Sequence, residues 1–259
     1  MFALLVASQF SKASVLLLIS LHPHNQMVLT KTVILTQVVD EGLPGPEHFD
    51  TQETDVPDFN LEAGEGFIQV RITAMSADPY LRLRIKSNTA VPGQVMTGFV
   101  VGKVVASKGN STWSVGDLFG GSLPFSTVQT LSPDQLKATL LWKLTDIVSE
   151  EELTLGLGLL GMPGSTAYGG LIDVLKVKEG ETIFVSAASG AVGSLVGMIA
   201  KNVYHCTVIG SCGGPEKAAL IKDKFGFDHA LDYKDPAVGG SKEKLQAALK
   251  AVAPDGIDM

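Results

Sequence analysis

The second half of the chain alternates strand-like and helical segments, and this rhythm constrains the fold more than any other feature. Thr182–Ala187 is a largely apolar run, typical of a parallel strand that is buried on both faces. Two more strands are predicted after it, at Cys206–Gly210 and His229–Tyr233. Three helices are predicted at Gly190–Val203, Pro215–Phe225 and Lys242–Val252. Gly256–Met259 resembles the start of a fourth strand. This order predicts an α/β fold built on a doubly wound parallel sheet.

The first half of the chain is β-rich instead. Alternating apolar runs predict strands at Thr32–Val38, Gly66–Ala74 and Gly98–Ala106, separated by turns rich in glycine and proline. Ser149 and the three glutamates after it predict the start of a helix that continues through 153–161, and a second helix follows from Met162 to Leu175. The expected domains are an extension at 1–26, a β-rich domain at 27–155 and a sheet domain at 156–259.

The charge of the chain argues against a nucleic-acid partner. The net charge is −7, and the 20 basic residues are scattered, with no run that could follow a phosphate backbone. The two cysteines, Cys206 and Cys212, form no CxxC pair, so we expect reduced, buried thiols in a cytoplasmic protein.

The N-terminal apolar run at 13–21 is too short for a membrane span, which needs about 20 residues. We therefore expect no membrane partner. Met27 opens the first predicted strand, and we interpret residues 1–26 as an extension without a structural role. A secretory signal or transit peptide is the alternative, because such an apolar core has about 7–15 residues.

The loop at 188–193 (ASGAVG) has the chemistry of a nucleotide-binding turn. It follows a strand, opens a helix and precedes a second strand, which is the context that such a glycine pattern requires. Gly190 lets the backbone approach a pyrophosphate, and Gly193 lets the helix pack closely on the strand. The first turn of the helix offers N–H groups and partial positive charge to phosphates. The loop therefore predicts a dinucleotide site.

The end of the second strand distinguishes between the two nicotinamide cofactors. An NAD site places an acidic residue there, but the chain has no carboxylate between Ile209 and Glu216. Ser211 can donate to a 2′-phosphate and Lys217 can neutralise it. Lys217 could equally be a solvated helix residue. Together these residues favour NADP(H).

The spacing of possible metal-ligand residues does not indicate a metal site. The five histidines occur in no HxxxH or HExxH arrangement and in no pairing with cysteine. The chain also contains no G-x-S-x-G elbow and no Walker lysine motif. We expect no metal site.

Four motifs, in order along the chain, resemble one known family. They are DPYLR at 78–82, GMPGSTAY at 161–168, AASGAVGS at 187–194, and GFD at 226–228 leading to DYK at 232–234. The chain resembles the zinc-independent medium-chain dehydrogenase/reductases, in the branch of prostaglandin reductases and NADPH-dependent alkenal or enone double-bond reductases. The resemblance covers about residues 27–259. It implies a GroES-like substrate domain at 27–155 and a Rossmann domain at 156–259.

The resemblance also implies roles for individual residues. They are Gly190, Ala191, Val192 and Gly193 against the pyrophosphate, Lys217 and Tyr233 on the adenosine 2′-phosphate, Met162 and Thr166 near the nicotinamide, and Tyr80 at the substrate cleft in a catalytic or orienting role. The residues alone leave other interpretations open. Tyr233 could be a strand-end core residue, Met162 and Thr166 could mark a helix break, and Tyr80 could be a turn aromatic.

The implied reaction is hydride transfer from NADPH to the β-carbon of an α,β-unsaturated aldehyde or ketone, followed by protonation at the α-carbon. The protein would position the reactants and stabilise the oxyanion on the carbonyl. Two alternatives remain, which are an NADPH quinone oxidoreductase of the same superfamily and a catalytically silent NADPH-binding or interaction protein.

Relatives of this kind continue past the Gly-Ile-Asp run at 256–258 into further strands. The resemblance therefore implies a truncated Rossmann sheet, with an active-site tyrosine and the strands of the family homodimer missing. On that basis we expect the 259-residue chain to bind NADPH weakly and to turn over poorly.

Overall fold

The computed structural model describes residues 29–259, so the expectation of an extension without a structural role at 1–26 lies outside the described residues. The chain divides into two compact units, the first ending at Leu157 and the second spanning Gly158–Met259. The boundary expected from the sequence, between residues 155 and 156, lies two residues before this division.

The first unit is built on antiparallel strands. They are β1 (Leu29–Leu35), β2 (Phe49–Asp55), β3 (Ile68–Met75), β4 (Thr97–Ser107), β5 (Leu118–Pro124), β6 (Val128–Leu131) and β7 (Leu141–Lys143). β1 pairs with β2, and the other five form one sheet in the order β6-β3-β4-β5-β7. Alternate residues of β3 and β4 enter a core that contains Ile68, Val70, Ile72, Val100 and Val104.

Three short helices of the first unit were absent from the sequence prediction. They are α1 (Phe59–Glu62), α2 (Tyr80–Lys86) and α3 (Pro133–Ala138). The start of α3 has a local signal, because Ser132 and Gln135 form a reciprocal capping box around Pro133. α2 begins at Tyr80 directly after Pro79, so Tyr80 is a helix residue rather than a turn aromatic.

The helix predicted to continue through 153–161 is wrong in type and length. The structure has a 3₁₀ helix at Leu153–Leu157. A Cβ on Gly156 would lie 2.5 Å from the Leu144 side chain and 2.8 Å from Val101, so this turn packs tightly against the first unit's own sheet. The Ser149 N–H and hydroxyl both donate to the Glu152 carboxylate, so the Ser149 side chain accepts no helix N–H as an N-cap would, and no α-helix follows.

The second unit confirms the predicted α/β class. Its strands β8 (Thr182–Val185), β9 (Thr207–Cys212) and β10 (His229–Asp232) are parallel, in the order β10-β9-β8. Its helices are α4 (Met162–Tyr168), which runs into a π-helical segment at Gly169–Val174, and α5 (Ala191–Tyr204), α6 (Pro215–Asp223) and α7 (Lys242–Val252). The predicted and observed bounds of α7 are identical, whereas β9 begins one residue later and ends two residues later than predicted.

The fourth strand expected at Gly256–Met259 is present only as the beginning of a ladder. The Asp258 N–H donates to the Thr182 carbonyl at 2.8 Å, and the Phe184 N–H donates to the Met259 carbonyl at 2.7 Å. These bonds lie along the edge of β8 that β9 does not occupy. Within the described part of the chain, no helix is both long and apolar enough to cross a bilayer.

Candidate functional site

The loop between β8 and α5 leaves N–H groups at the start of the helix without an acceptor in the helix. Gly190 is the N-cap of α5, and no side chain caps this end. The Gly190 N–H donates to the Ala187 carbonyl at 2.8 Å. The N–H groups of Ala191, Val192 and Gly193, which form the first turn, have no earlier carbonyl of the helix to reach. With the helix dipole, they favour an anion at this end of α5.

Close backbone packing determines the shape of this loop. A Cβ on Gly193 would lie 2.6 Å from the Ala187 carbonyl oxygen and 3.0 Å from the Ala188 Cα. At Gly190 the same oxygen would be 3.1 Å away. Ala187 itself has a φ of +48°, which residues with a side chain seldom adopt. The helix therefore begins directly against the backbone of the loop, and a larger residue at 193 would displace it.

An open concavity of about 390 Å³ lies at this loop. The end of β8, the loop glycines and the first turns of α5 line it, and its apolar side chains include Phe184, Val192 and Val196. An apolar wall beside free N–H groups is the combination that nucleotide sites commonly show. Gly190, Val192 and Gly193, which were predicted from the sequence, all line this concavity.

The turn from β9 into α6 has Lys217 on its helical side and the Tyr233 phenol against Gly213. Lys217 is exposed in the first turns of α6. Tyr233 follows β10, is 52% exposed, and places its phenol against the turn, because a Cβ on Gly213 would lie 2.6 Å from the phenol oxygen. Both polar groups are thus accessible to a ligand at the carboxyl end of the sheet, which is where α/β sheets bind ligands.

Ser211 is less accessible than the sequence suggests. β9 continues through Cys212, because Leu231 and Asp232 of β10 pair with Ser211 and Cys212. Ser211 is only 7% exposed, and its carbonyl accepts the Ala188 N–H at 2.9 Å. Its proposed donation to a 2′-phosphate remains a prediction.

Asp232 adds a carboxylate that the sequence reasoning missed. Its Oδ1 accepts the Gly214 N–H at 2.7 Å and the Lys234 N–H at 2.9 Å. These hydrogen bonds, led by that of Gly214, hold the pKa of Asp232 below its ordinary value. The predicted parallel sheet could have indicated Asp232, because the carboxyl ends of the paired strands β9 and β10 are neighbours.

Met162 and Thr166 lie one turn apart on α4. The Thr166 hydroxyl donates to the Met162 carbonyl at 2.7 Å and also lies 3.4 Å from the Met162 sulfur. Thr166 is exposed and Met162 is half-buried. The pair therefore presents one polar and one apolar group on the same face of the helix, and its role beside a nicotinamide remains a prediction.

Tyr80, in the first unit, has its phenol oxygen held by the backbone. The oxygen accepts the Phe99 N–H at 3.3 Å, and the ring meets that of Phe99 edge-on at 5.9 Å. Burial raises the pKa of Tyr80 more than the Phe99 N–H lowers it, and the charge of Asp78 raises it further. The phenol is therefore protonated at neutral pH and can still donate its own hydrogen. The sequence reasoning did not single out Phe99.

Among residues 29–259, no group of three His, Cys, Asp or Glu side chains is arranged to hold a metal ion. Cys206 and Cys212 are both unpaired and buried, and burial raises the pKa of each thiol. Neither sulfur is thus a ready thiolate at neutral pH.

Comparison with known proteins places these features in a family. Residues 31–139 match the family model described as the N-terminal domain of oxidoreductase. The chain is 39% identical over 238 residues to the 2-alkenal reductase (NADP(+)-dependent) of Nicotiana tabacum, covering 90% of this chain and 65% of that protein. It is 38% identical to prostaglandin reductase 1 of Mus musculus, covering 84% and 60%. The chain is therefore similar, over most of its own length, to NADP-dependent alkenal and prostaglandin reductases.

A solved structure extends the likeness to the fold. CurA from Vibrio vulnificus, crystallised in complex with NADPH, is 31% identical with a TM-score of 0.71, over 88% of this chain and 63% of that one. This likeness assigns a GroES-like fold to the first unit and a Rossmann fold to the second. The chain spans 60 to 65% of the length of the curated reductases named above.

Proposed function

We propose that the chain binds NADPH through the loop after β8 and the turn after β9. The uncapped N–H groups of Ala191, Val192 and Gly193 fit a pyrophosphate, and the concavity of about 390 Å³ leaves space for it. Lys217 and the Tyr233 phenol fit a 2′-phosphate, as an ammonium and a hydroxyl donor. The NADPH complex of CurA and the NADP(+) dependence in the name of the tobacco reductase support this cofactor.

We propose further that the protein reduces the carbon–carbon double bond of α,β-unsaturated aldehydes and ketones. When bound, NADPH would supply the hydride. The observation that carries the proposal is the Phe99 N–H donated to the Tyr80 oxygen, because it leaves the phenol hydrogen available. Such a donor can stabilise the negative charge that develops on a substrate carbonyl during hydride addition.

The proposed reaction is independent of zinc, because Tyr80 can give the carbonyl the stabilisation that a metal ion otherwise supplies. A chelator should therefore leave NADPH consumption unchanged. The unpaired, buried cysteines fit the cytoplasmic location that we propose from the sequence. Export of the expressed chain from the cell would instead indicate the alternative, a secretory signal peptide.

The test measures NADPH consumption by the 259-residue chain with a 2-alkenal and with benzoquinone, at protein concentrations high enough to detect a single turnover. We expect alkenal reduction and an about 10²-fold fall in its rate in Tyr80→Phe, since one lost oxyanion donor costs about 10²–10³. NADPH affinity should stay within about twofold, because the changed hydroxyl is in the first unit. Tyr168→Phe, a change at an exposed tyrosine of α4, is the matched control.

Two results would favour the alternatives. Faster NADPH consumption with benzoquinone than with the alkenal would indicate a quinone reductase. Tight NADPH binding without reduction of either acceptor would indicate a catalytically silent binding protein. An alkenal rate that Tyr80→Phe leaves unchanged would remove Tyr80 from the mechanism without removing the reaction.

A further inference from the structure

The Asp232 side chain uses only one of its two oxygens to support the fold. Oδ1 accepts both the Gly214 N–H and the Lys234 N–H, and so joins the turn before α6 to the residues after β10. Within the described residues, Oδ2 takes part in no hydrogen bond or salt bridge. The structural role therefore needs one acceptor, and the second oxygen adds only negative charge.

The carboxylate lies at the turn that is assigned above to the 2′-phosphate. The phenol of Tyr233, the next residue, lies against Gly213, and Asp232 binds the following backbone N–H at Gly214. Lys217 lies in the first turn of α6, three residues after Gly214, whose N–H donates to Asp232. The proposed phosphate site thus has a cation at the start of α6 and an anion at the end of β10.

We infer that Asp232 is a specificity-determining residue that weakens the preference for the 2′-phosphate, so that the chain accepts NADH as well as NADPH. The inference rests on the proposed cofactor site. A phosphate monoester near neutral pH carries more than one negative charge and is repelled by a neighbouring carboxylate, whereas the 2′-hydroxyl of NADH is not. Lys217 offsets this repulsion only in part, since both charges are partly solvated.

The substitution Asp232→Asn separates the charge from the structure. An asparagine retains an Oδ1 that can accept both N–H groups, and it replaces Oδ2 with a donor. The experiment is fluorescence titration of the 259-residue chain and of the variant with NADPH and with NADH, at low salt and at about 1 M salt. Asp173→Asn is the matched control, because Asp173 is exposed on the π-helical segment of the same unit.

We expect Asp232→Asn to bind NADPH about three- to tenfold more tightly at low salt, as removal of one like charge at several ångströms implies. NADH affinity should stay within about twofold. The gain should largely vanish at about 1 M salt, where charges are screened beyond about 3 Å. A role confined to holding the turn would produce none of this salt dependence.

Three results would overturn the inference. An NADPH-to-NADH affinity ratio equal to that of the unchanged chain would show that the charge does not act on the phosphate. Equal weakening of both cofactors, accompanied by a lower melting temperature, would show a purely structural role. Binding of neither cofactor by the unchanged chain would refute the proposed function itself, whereas the first two results leave that function standing.

Discussion

The ring of Phe227 fits between α5 and β9 only because each of these elements presents a glycine to it. A Cβ on Gly197 of α5 would lie 2.8 Å from the ring Cε1 and closer still to Cζ and Cε2. A Cβ on Gly210 of β9 would lie 2.7 Å from the ring Cδ1. Phe227 is 3% exposed, so the ring has no open side into which it can turn. We therefore predict that Gly197→Ala destabilises the second unit.

Two opposing effects determine the size of the change. Alanine in place of an interior helical glycine gains about 1 kcal/mol of helix propensity. Even the most distant of the three ring atoms would stand about 0.6 Å inside the 3.4 Å of an ordinary contact. Overpacking of this kind costs about 1–3 kcal/mol, and a ring held on both sides belongs at the upper end. The expected net loss is about 2 kcal/mol.

The assay is thermal unfolding followed by circular dichroism. For a unit of about 100 residues, 1 kcal/mol shifts the melting temperature by about 4–8 °C, so Gly197→Ala should lower it by about 8–16 °C. Gly170→Ala is the control, because a Cβ there meets nothing within 4 Å and the substitution should not destabilise. Adding Phe227→Leu to Gly197→Ala should cost less than the sum of the two changes. A melting temperature of Gly197→Ala at or above that of the unchanged chain would refute the packing argument.

Two further predictions concern charge. Lys217→Ala should weaken NADPH binding by about tenfold or more and leave NADH affinity within about twofold, because a charge-assisted bond to the phosphate is lost. Lys222→Ala, on the same helix, is the control. An NADPH preference that survives Lys217→Ala would contradict the assignment of Lys217 to the 2′-phosphate. Lys201, 2.6 Å away, and the Val208 N–H offset the burial of Asp228 and lower its pKa. A carboxyl group whose pKa is lower in the folded than in the unfolded protein stabilises the fold at pH values above its unfolded pKa of about 4. This contribution to the free energy of unfolding is lost as the pH falls through the folded pKa. Between pH 5 and pH 2, the free energy of unfolding of Asp228→Asn should therefore fall less steeply with decreasing pH than that of the unchanged chain. An equal pH dependence in the two proteins would contradict this role of Asp228.

Local signals predicted those parts of the second unit that depend on neighbours in sequence. The bounds of α7 came out correctly because Ser241 caps the helix through its own side chain, which accepts the Lys244 N–H. Gly190 and Gly193 could be placed at a helix start for a similar reason, since the apolar strand, the glycines and the helix are consecutive. In each of these cases the partner of a residue lies within a few positions along the chain.

Contacts between distant residues account for what the sequence could not show. The helix expected after Ser149 is a 3₁₀ turn that packs tightly at Gly156 against Val101, more than fifty residues away. Ser211 was expected beyond its strand, but pairing with Leu231 extends β9 and buries the side chain. The hydrogen bond from Phe99 to Tyr80 likewise joins two elements whose proximity no local pattern reveals.

The charge of the proposed cofactor site also depends on residues that are distant in sequence. The rule that an acidic residue at the end of the second strand favours NAD considers one stretch of sequence, and here that stretch holds no carboxylate before Glu216. Parallel strands end at one edge of the sheet, so the end of β10 belongs to the same surface, and it contributes Asp232. In the proposed cofactor site, the preference would depend on the balance between Lys217, which would attract a 2′-phosphate, and Asp232, which would repel it. Neither residue alone predicts that balance, because its sign depends on how far each charge lies from the phosphate and how well water screens it.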